Sequence, residues 1–460
     1  MKFTKFGKAL LMSALSAGVV VSVTSCVQSY SVGFLYVTGS ETAQSSANGI
    51  ISGYKIDHNT GKLTAINGLP VASGGANPER AVLLTGSRFL YVLNRGLTAS
   101  GSANCTTADP CLHSNITQFA VGGEGILTPQ ETFYTQGINP FRLLTDSTGG
   151  YLFVLDHDSP APTSTAAVPV AGGSQGAGSD DPGCAQALGG VATCGDITVF
   201  KVDGTTGRLS LVVNAQVTSA SGTALPYFPV PANPVDISFA GSSIITMSGT
   251  ASSSFPYIHG TSVFPYNWGA GSGQLTISQS TPQALGINEG TALSYTGGDL
   301  YVMDNEPYPG APKGTSQILP YTVAASGTLQ PQLNGAVADT PTQSNPVIVL
   351  QESKSKWLYV ANAGNLTDVT NGASGIDGFS ILTPFQLTEL PGAPFGSGSG
   401  PKCMVEDPSD QFIYTANFND SSVTGRLIEA NSGILKNLSW PGVITLPGQP
   451  TWCLVDGRTS

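Results

Sequence analysis

Charged residues are scarce in this sequence. Only 10% of its 460 residues are Asp, Glu, Lys or Arg, and 29 acids against 18 bases give a formal net charge of −11 at pH 7. After the first 25 residues the bases form no cluster. An acidic surface without a basic patch repels phosphate backbones. The composition therefore argues against nucleic acid as a partner.

Long apolar runs and helical patterns are also missing. After the N-terminal segment no stretch is apolar for long enough to cross a bilayer, and no long amphipathic helix is recognisable. Instead, 57 Gly and 31 Pro accompany 40% apolar residues, which is typical of many short strands joined by tight turns. All-β domains of this length can be single units. The sequence therefore favours one large all-β domain.

The N-terminus has the layout of a bacterial lipoprotein signal. A basic region that contains Lys2, Lys5 and Lys8 precedes an apolar run from residue 9 to residue 23. The run ends in the sequence VTSC, which resembles the lipoprotein box and would make Cys26 the acylated N-terminus of the mature chain. Two acyl chains are enough for stable membrane attachment. An ordinary secretory signal with a chance Cys is the alternative.

We therefore expect residues 1–25 to be a signal peptide, residues 26–32 a short tether, and residues 33–460 the folded domain. The mature protein would be exported and anchored to the cell envelope, at its periplasmic or outer-membrane face. Contact with the membrane would be through the lipid alone, and mass spectrometry of the N-terminal peptide would show lipid on Cys26.

A short aromatic and β-branched segment recurs seven times. Its central residues are Tyr36, Tyr91, Phe153, Ile245, Tyr301, Tyr359 and Tyr414. The intervals between them run from 55 to 92 residues, and each copy contains four strand-like segments. Such a repeat predicts an all-β fold, a seven-bladed β-propeller with four-stranded antiparallel blades. We name the strands of each blade a to d in chain order, with the recurring segment as strand b.

The two ends of the chain predict how the ring closes. The first copy has no strand a in front of it, and the last apolar segment, residues 451–455, has no strand b behind it. We expect this C-terminal segment to act as strand a of the first blade. Closure of this kind removes open sheet edges.

The repeat also resembles a known family. A Leu-Tyr-Val strand followed by a Thr-Gly-Lys-Leu turn, as at residues 60–63, is similar to the lactonase-type seven-bladed propellers, whose namesake is 6-phosphogluconolactonase, and to YVTN-repeat proteins. The resemblance implies a cofactor-free hydrolase of a sugar lactone or similar cyclic ester. Strand a in that family often carries His beside its Pro. None of the corresponding positions is His in this chain.

Blade geometry predicts where a site would lie. The b–c and d–a loops of an up-and-down blade emerge on one face, and here the b–c loops are long. As candidate catalytic residues near this face we select His157, Arg80, Arg142 and Glu289. The candidate binding residues are Asn94, Arg95, Asp156, Asp158, Asp236, Asp304, Glu306, Asn362 and Asn417.

Several of these residues have alternative interpretations. Asp156, His157 and Asp158 could supply a base, although a solvated loop root is favoured. The segment 304–306 could bind Ca²⁺, but it lacks the spacing of a dedicated calcium loop, so no metal is predicted. Arg80 and Arg142 could clamp an anion or pair with nearby carboxylates. The Asn of each Asn-Pro step is expected to bond its own turn backbone.

The cysteine count is consistent with export. Seven are present, and with Cys26 assigned to lipid six remain, an even number suited to disulfides outside the cytoplasm. The expected pairs are Cys105–Cys111 and Cys184–Cys194. Cys403 and Cys453 are further candidates on the a strands of blades that become neighbours at closure, and their pairing stays open because the two side chains could point to different sides of their blades. A metal site that uses Cys105, Cys111 and His113 is the alternative for the first pair.

Two classes of function remain open after these considerations. The first is a monomeric lactone hydrolase that acts on a small lactone or carbohydrate. The second is a non-catalytic binding or scaffold propeller of the envelope, which would recognise a protein or a glycan.

Overall fold

The computed structural model describes most of the repeat region. The described residues are 30–40, 49–84, 86, 88–96, 114–158, 167–170, 173–176, 194–215, 224–251, 258–277, 282–287, 289–305, 316–332, 337–338, 345–364, 373–383 and 386–457. The expected signal peptide, the lipid site Cys26, the cysteines at 105, 111 and 184, and Glu306 lie outside these ranges. Within them, no helix is long and apolar enough for a membrane crossing.

Seven antiparallel sheets form the blades, and in each the strands follow the spatial order a-b-c-d. From blade 1 to blade 7 the a strands are Pro450–Asp456, Pro78–Leu83, Ile138–Thr145, Pro234–Ala240, Gly290–Thr296, Pro346–Gln351 and Pro401–Glu406. The b strands are Ser31–Ser40, Phe89–Asn94, Tyr151–Asp158, Ser243–Ala251, Asp299–Asp304, Trp357–Asn362 and Phe412–Asn417. The first strand thus begins at Ser31, inside the expected tether.

The outer half of each blade is less regular. The c strands are Gly49–Asp57, Asn115–Val121, Cys194–Val202, Ile258–Trp268, Gln317–Val323, Gly375–Thr383 and Ser422–Ile428. The d strands are Leu63–Ala65, Leu127–Phe133, Leu209–Leu211, Leu275–Ile277, Leu329–Pro331, Gln386–Glu389 and Leu435–Asn437. In five blades a second short strand also pairs with strand c: Val71–Ala72, Phe228–Ala232, Gln283–Ala284, Val337–Ala338 and Val443–Thr445. Strands Ala167–Val170 and Gly173–Gly176 form a separate hairpin.

The core lies between neighbouring blades. Strand b of blade 2, for example, is almost completely buried along its length, because blades cover both of its faces. A strand buried on both faces needs a continuous apolar run rather than an alternating pattern. This is why the recurring segment is so easily recognised in the sequence.

A tyrosine in the middle of strand b fastens one blade to the next. The hydroxyl of Tyr36 donates to the carbonyl of Gly125 in the c–d hairpin of blade 2, at 2.8 Å. The same bond joins Tyr91 to Gly207, Tyr359 to Gly433 and Tyr414 to Gly61. We call this contact the tyrosine latch. Phe153 and Ile245 have no hydroxyl, so blades 3 and 4 cannot form it.

Each latch places the hairpin glycine against an aromatic ring of the preceding blade. Gly433 has φ +71°, and a Cβ there would lie 2.5 Å from the ring of Trp357. Gly61 and Phe412 repeat this contact at the junction of blades 7 and 1. The Gly of the repeated turn is therefore required by close packing as well as by backbone conformation.

The C-terminal strand closes the ring as the sequence predicts. Pro450–Asp456 pairs antiparallel with Ser31–Ser40, in the register Phe34↔Asp456 to Thr38↔Trp452. A disulfide joins Cys403 on strand a of blade 7 to Cys453 on strand a of blade 1, with their Cα atoms 5.8 Å apart. The structure thus pairs Cys403 with Cys453, a pairing that the sequence left open.

Candidate functional site at the channel mouth

The start of strand a has a recurring backbone conformation. An Asn with positive φ precedes the Pro in four blades: Asn77, Asn139, Asn233 and Asn345, with φ between 50° and 59°. A register shift follows directly after the Pro, so that one extra residue bulges out of the ladder. β-Bulges of this kind often redirect side chains next to functional sites.

Two of these Asn side chains bond the backbone of the b–c side of the blade, where the sequence-based expectation was a bond to their own turn. Asn77 donates from Nδ2 to the carbonyl of Gly96 at 2.7 Å, and Asn233 donates likewise to Gly249 at 3.2 Å. Both acceptors lie at or just beyond the end of strand b in the same blade. The bond therefore ties the start of strand a to the root of the b–c loop.

The first two residues after the Pro bring three cations together. Arg80, Arg142 and Lys402 come from strand a of blades 2, 3 and 7, and the a strands form the inner ring of the propeller. Burial is the main cause that lowers the pKa of Arg80, and the charge of Arg142 lowers it further. Burial also lowers the pKa of Lys402, and both arginines add to that decrease. The three cations are thus close enough to repel one another.

Each of these cations lies over an aromatic ring. The guanidinium carbon of Arg80 is 3.6 Å from the ring centre of Trp452. Arg142 lies 5.0 Å from Phe141, and Nζ of Lys402 lies 5.3 Å from Phe418. Such contacts stabilise a cation without neutralising it.

Carboxylates neutralise only part of this charge. Arg142 is ion-paired with Asp236, whose other oxygen accepts the backbone N–H of Leu293 at 2.7 Å. Asp236 is only 4% exposed, so it positions Arg142 and joins blade 3 to blade 5. Arg80 and Lys402 form no ion pair with any residue that the structure describes. The channel mouth therefore carries an excess of positive charge on an acidic protein.

His157 lies beside this cluster. Its ring packs edge-on against Phe141, with ring centres 6.0 Å apart, so the imidazole and the Arg142 guanidinium contact the same aromatic side chain. The side chains of His157 and Arg142 are partly exposed. The predicted base and one predicted anion-binding residue are thus neighbours.

Two further predicted residues, Arg95 and Glu289, have separate roles. Arg95 forms an ion pair of 3.5 Å with Glu79, the residue before Arg80. Glu289 is half-buried, and its backbone N–H donates to Oδ1 of Asp304 at 3.2 Å. Its backbone thus helps to hold the end of strand b in blade 5.

The comparisons with known proteins agree with this architecture. Residues 47–172 match the family model described as "Lactonase, 7-bladed beta-propeller". The chain is a seven-bladed β-propeller, and over the matched residues it is similar to the lactonase family. No curated protein sequence matches it.

Solved structures extend the likeness of the fold over nearly the whole chain. The periplasmic gluconolactonase of Pseudomonas aeruginosa has a TM-score of 0.60 at 16% identity, over 93% of this chain and 99% of that one. A candidate 6-phosphogluconolactonase from Bacteroides fragilis has a TM-score of 0.56 at 15% identity, over 92% and 98%. A hypothetical selenium-binding protein from Sulfolobus tokodaii has 0.58 at 9%, over 94% and 95%. At these identities the likeness shows the fold alone.

The structure of this propeller corrects the placement of five predicted binding residues. They are all 0% exposed: Asn94, Asp156, Asp304, Asn362 and Asn417. They end strand b inside the blades, where the start of strand c supplies hydrogen-bond partners to most of them. The interpretation as solvated loop roots, or as residues lining an open cleft, is therefore wrong for these positions. Of Asp158 the structure describes the backbone only.

No metal centre emerges from the described part of the chain. It contains no group of three or more His, Cys, Asp or Glu side chains that could hold an ion. Of the segment considered for Ca²⁺, Asp304 is buried and accepts a hydrogen bond from Gln317 at 3.0 Å, and residue 306 lies outside the described ranges. Cys194 is described in its backbone only, and the other loop cysteines lie outside, so these disulfides stay predictions.

Sequence reasoning missed four members of the cluster. Lys402 is the first residue after its Pro, and Trp452, like Arg80, is the second. Their place in the repeat could therefore have indicated them. Phe141 precedes Arg142 on strand a, and Phe418 directly follows strand b of blade 7. Nothing in the local sequence indicates that these two rings support cations.

Proposed function

We propose that this propeller binds a sugar lactone or similar cyclic ester at the channel mouth and hydrolyses it to the open carboxylate. The observation that carries the proposal is the shared contact of His157 and Arg142 with Phe141, next to the cation Arg80. A base and two guanidinium groups on one rim are what such a reaction needs.

In the proposed reaction, His157 takes a proton from a water molecule as the water oxygen attacks the lactone carbonyl carbon. Arg80 stabilises the oxyanion that develops on the carbonyl oxygen, because its charge is not neutralised by a described carboxylate. The ring C–O bond then breaks, and the protonated His157 returns the proton to the departing alkoxide. The carboxylic acid that is formed releases its proton to the solvent, and Arg142, held by Asp236, binds the resulting carboxylate.

The direct test is hydrolysis of a panel of aldonolactones by the purified propeller domain. His157→Gln should lower kcat by at least about 100-fold, the usual contribution of a general base. Arg80→Gln should lower kcat/KM by a similar factor, since one oxyanion donor contributes about 100-fold or more. Lys62→Ala, in a c–d hairpin on the opposite face, is the matched control and should leave the rate unchanged.

His157→Gln should retain the stability of the parent, because a partly exposed side chain contributes little to the core. Arg80→Gln also loses the contact with Trp452, so its unfolding midpoint is measured alongside the rate. Turnover that survives both substitutions would place the chemistry elsewhere. Absence of turnover with every lactone would refute the hydrolase.

A second function is favoured by a separate observation. Asp236 and Glu79 are both engaged in ion pairs, so few carboxylates at the mouth are free for chemistry. The excess positive charge and the aromatic rings suit a binding propeller for an anionic glycan. Saturable binding of a uronic acid oligosaccharide in calorimetry, without lactone turnover, would support this function instead.

We place either function at the cell envelope. The support is the lipoprotein-type N-terminus, together with a cysteine pair that suits an oxidising compartment.

A further inference from the structure

Four blades share a polar pair between the end of strand b and the start of strand c. In each pair, one side chain donates an N–H hydrogen bond to an oxygen of the other. The bonds are Asn94 Nδ2 to Asn115 Oδ1 at 2.8 Å, Gln317 Nε2 to Asp304 Oδ2 at 3.0 Å, Asn362 Nδ2 to Asp377 Oδ2 at 3.1 Å, and Asn417 Nδ2 to Ser422 Oγ at 3.0 Å.

Blade 3 has two carboxyl groups at the same place. Asp156 ends the pairing of strand b with strand c, and its partner in the register is Asp196. Both residues are 0% exposed. Two carboxylates that share a buried site cannot both ionise without a large penalty.

Asp156 has hydrogen-bonding neighbours in the hydroxyls of Thr135 and Thr198 and the backbone of Gly137. The hydroxyl of Thr198 lies 3.1 Å from Oδ2 of Asp156 and 3.4 Å from Oδ1 of Asp196, and it has a single proton to donate. Oδ1 of Asp156 is buried and has no hydrogen-bond donor among the described residues. Because one hydroxyl reaches both carboxyl groups, the two lie side by side, and a hydrogen bond between them requires a proton on one of them.

The site leaves little room for a hydrated cation. A Cβ built on Gly137 would lie 2.5 Å from Oδ2 of Asp196 and 2.4 Å from Cβ of Asp156, so the backbone at 137 closes over the pair. A bound Ca²⁺ needs six to eight oxygen ligands. A shared proton needs no additional space.

The titratable neighbours are accounted for element by element. Tyr227 comes from the segment before the short strand Phe228–Ala232; burial, helped by the charge of Asp196, raises its pKa to about 12. On strand a, Arg142 pairs in register with Leu155, and its guanidinium is bound to Asp236 of blade 4. His157 follows Asp156 directly, so it points to the other face of the strand, where it contacts Phe141.

We propose that Asp156 and Asp196 share one proton, and that its loss as the pH rises loosens the end of blade 3 at the channel mouth. Ionisation would set two like charges against each other at the last residue pair of the b–c ladder. The segment that would open includes His157. The inference that this opening controls an active site rests on the proposed function. The inference of a shared proton does not.

The direction of the pH effect follows from linkage. Burial is the main cause that raises the pKa of Asp156, to about 7, whereas an unfolded Asp has a pKa of about 3.9. Between these values the opened state holds fewer protons than the closed state. The opening constant should therefore rise up to about tenfold per pH unit from about pH 4 to about pH 7 and be constant outside this window.

The test compares wild type with Asp156→Asn, which recreates the Asn–Asp pair of blade 6. Hydrogen exchange of strands b and c in blade 3, corrected for the intrinsic exchange rate, should show pH-dependent opening in wild type and constant opening in the variant. Asn362→Asp is the converse change, since it installs two carboxyl groups in blade 6. It should transfer the pH dependence to that blade.

Infrared spectroscopy is the second measurement. In the difference spectrum at about pH 6, below the pKa of the pair, wild type should show one protonated carboxyl band more than Asp156→Asn; Glu406, whose pKa burial raises to about 7, contributes equally to both spectra. If that variant fails to fold, the wild-type band and Asn362→Asp still decide the matter. Identical opening in wild type and Asp156→Asn, or opening that is controlled by added Ca²⁺ and restored by chelation, would overturn the proposal. Neither readout involves a ligand, so failure of the proposed function would leave the result intact.

Discussion

Removing the hydroxyl at the junction of blades 7 and 1 tests how the ring is held closed. Tyr414 donates to the carbonyl of Gly61 at 2.7 Å, across the boundary between the last blade and the first. Tyr414 is 0% exposed. In Tyr414→Phe the ring and its packing remain, and only the hydrogen bond is lost.

The expected cost follows from the acceptor that is left behind. A buried carbonyl without its donor costs about 1–3 kcal/mol. The hydroxyl is small, so the cavity adds little. We expect Tyr414→Phe to lower the free energy of unfolding by about 1–3 kcal/mol, and Tyr36→Phe and Tyr359→Phe to do the same, because they remove equivalent bonds.

Equilibrium unfolding in urea measures this change, with equal m-values as the condition for comparing variants. Tyr295→Phe is the surface control, since Tyr295 is 37% exposed, and its effect should stay within about 0.5 kcal/mol. A cost for Tyr414→Phe no larger than that of the control would show that the latch does not stabilise the ring.

Two further stability predictions concern the same packing. Gly433→Ala should destabilise the propeller by more than Gly68→Ala, because both positions have positive φ but only the Cβ at 433 would meet a ring, that of Trp357, whereas nothing lies within 4 Å at 68; equal unfolding midpoints for the two variants would contradict this. Cys403→Ser should lower the free energy of unfolding by roughly 2–4 kcal/mol, because the disulfide closes a chain segment of 50 residues, and the reductant sensitivity of the wild type should disappear in the variant. Unchanged urea midpoints in the oxidised and reduced wild type would refute this second prediction.

Much of the fold could be predicted from the sequence because the repeat is a property of the local chain. A strand that is buried between two blades must be apolar along its whole length, so Phe89–Asn94 and its equivalents stand out as continuous runs. The missing strand a of the first copy likewise predicted the closing strand, and the structure confirms it. The short second strands along strand c were not predicted, since two to five residues leave no clear periodic pattern.

The candidate site was predicted in part. Arg80, Arg142 and His157 were selected from their place in the repeat, and the structure gathers the three side chains around the channel mouth. Asn94 and Asn362 were selected by the same reasoning and are buried. The sequence could not separate the exposed residues from the buried ones, because both groups stand at strand ends next to the loops of one face.

The sequence by itself thus determined the number of blades and the strand that closes the ring, since both depend on position along a repeat. Only the tertiary structure decided that Cys403 pairs with Cys453 and which polar side chains meet. Lys402 of blade 7 joins Arg80 of blade 2 because ring closure leaves only blade 1 between them. Asp156 meets Asp196 in a buried site because blade 3 places the end of one strand beside the start of the next. These encounters depend on distances in space between residues far apart in the chain, which no local pattern records.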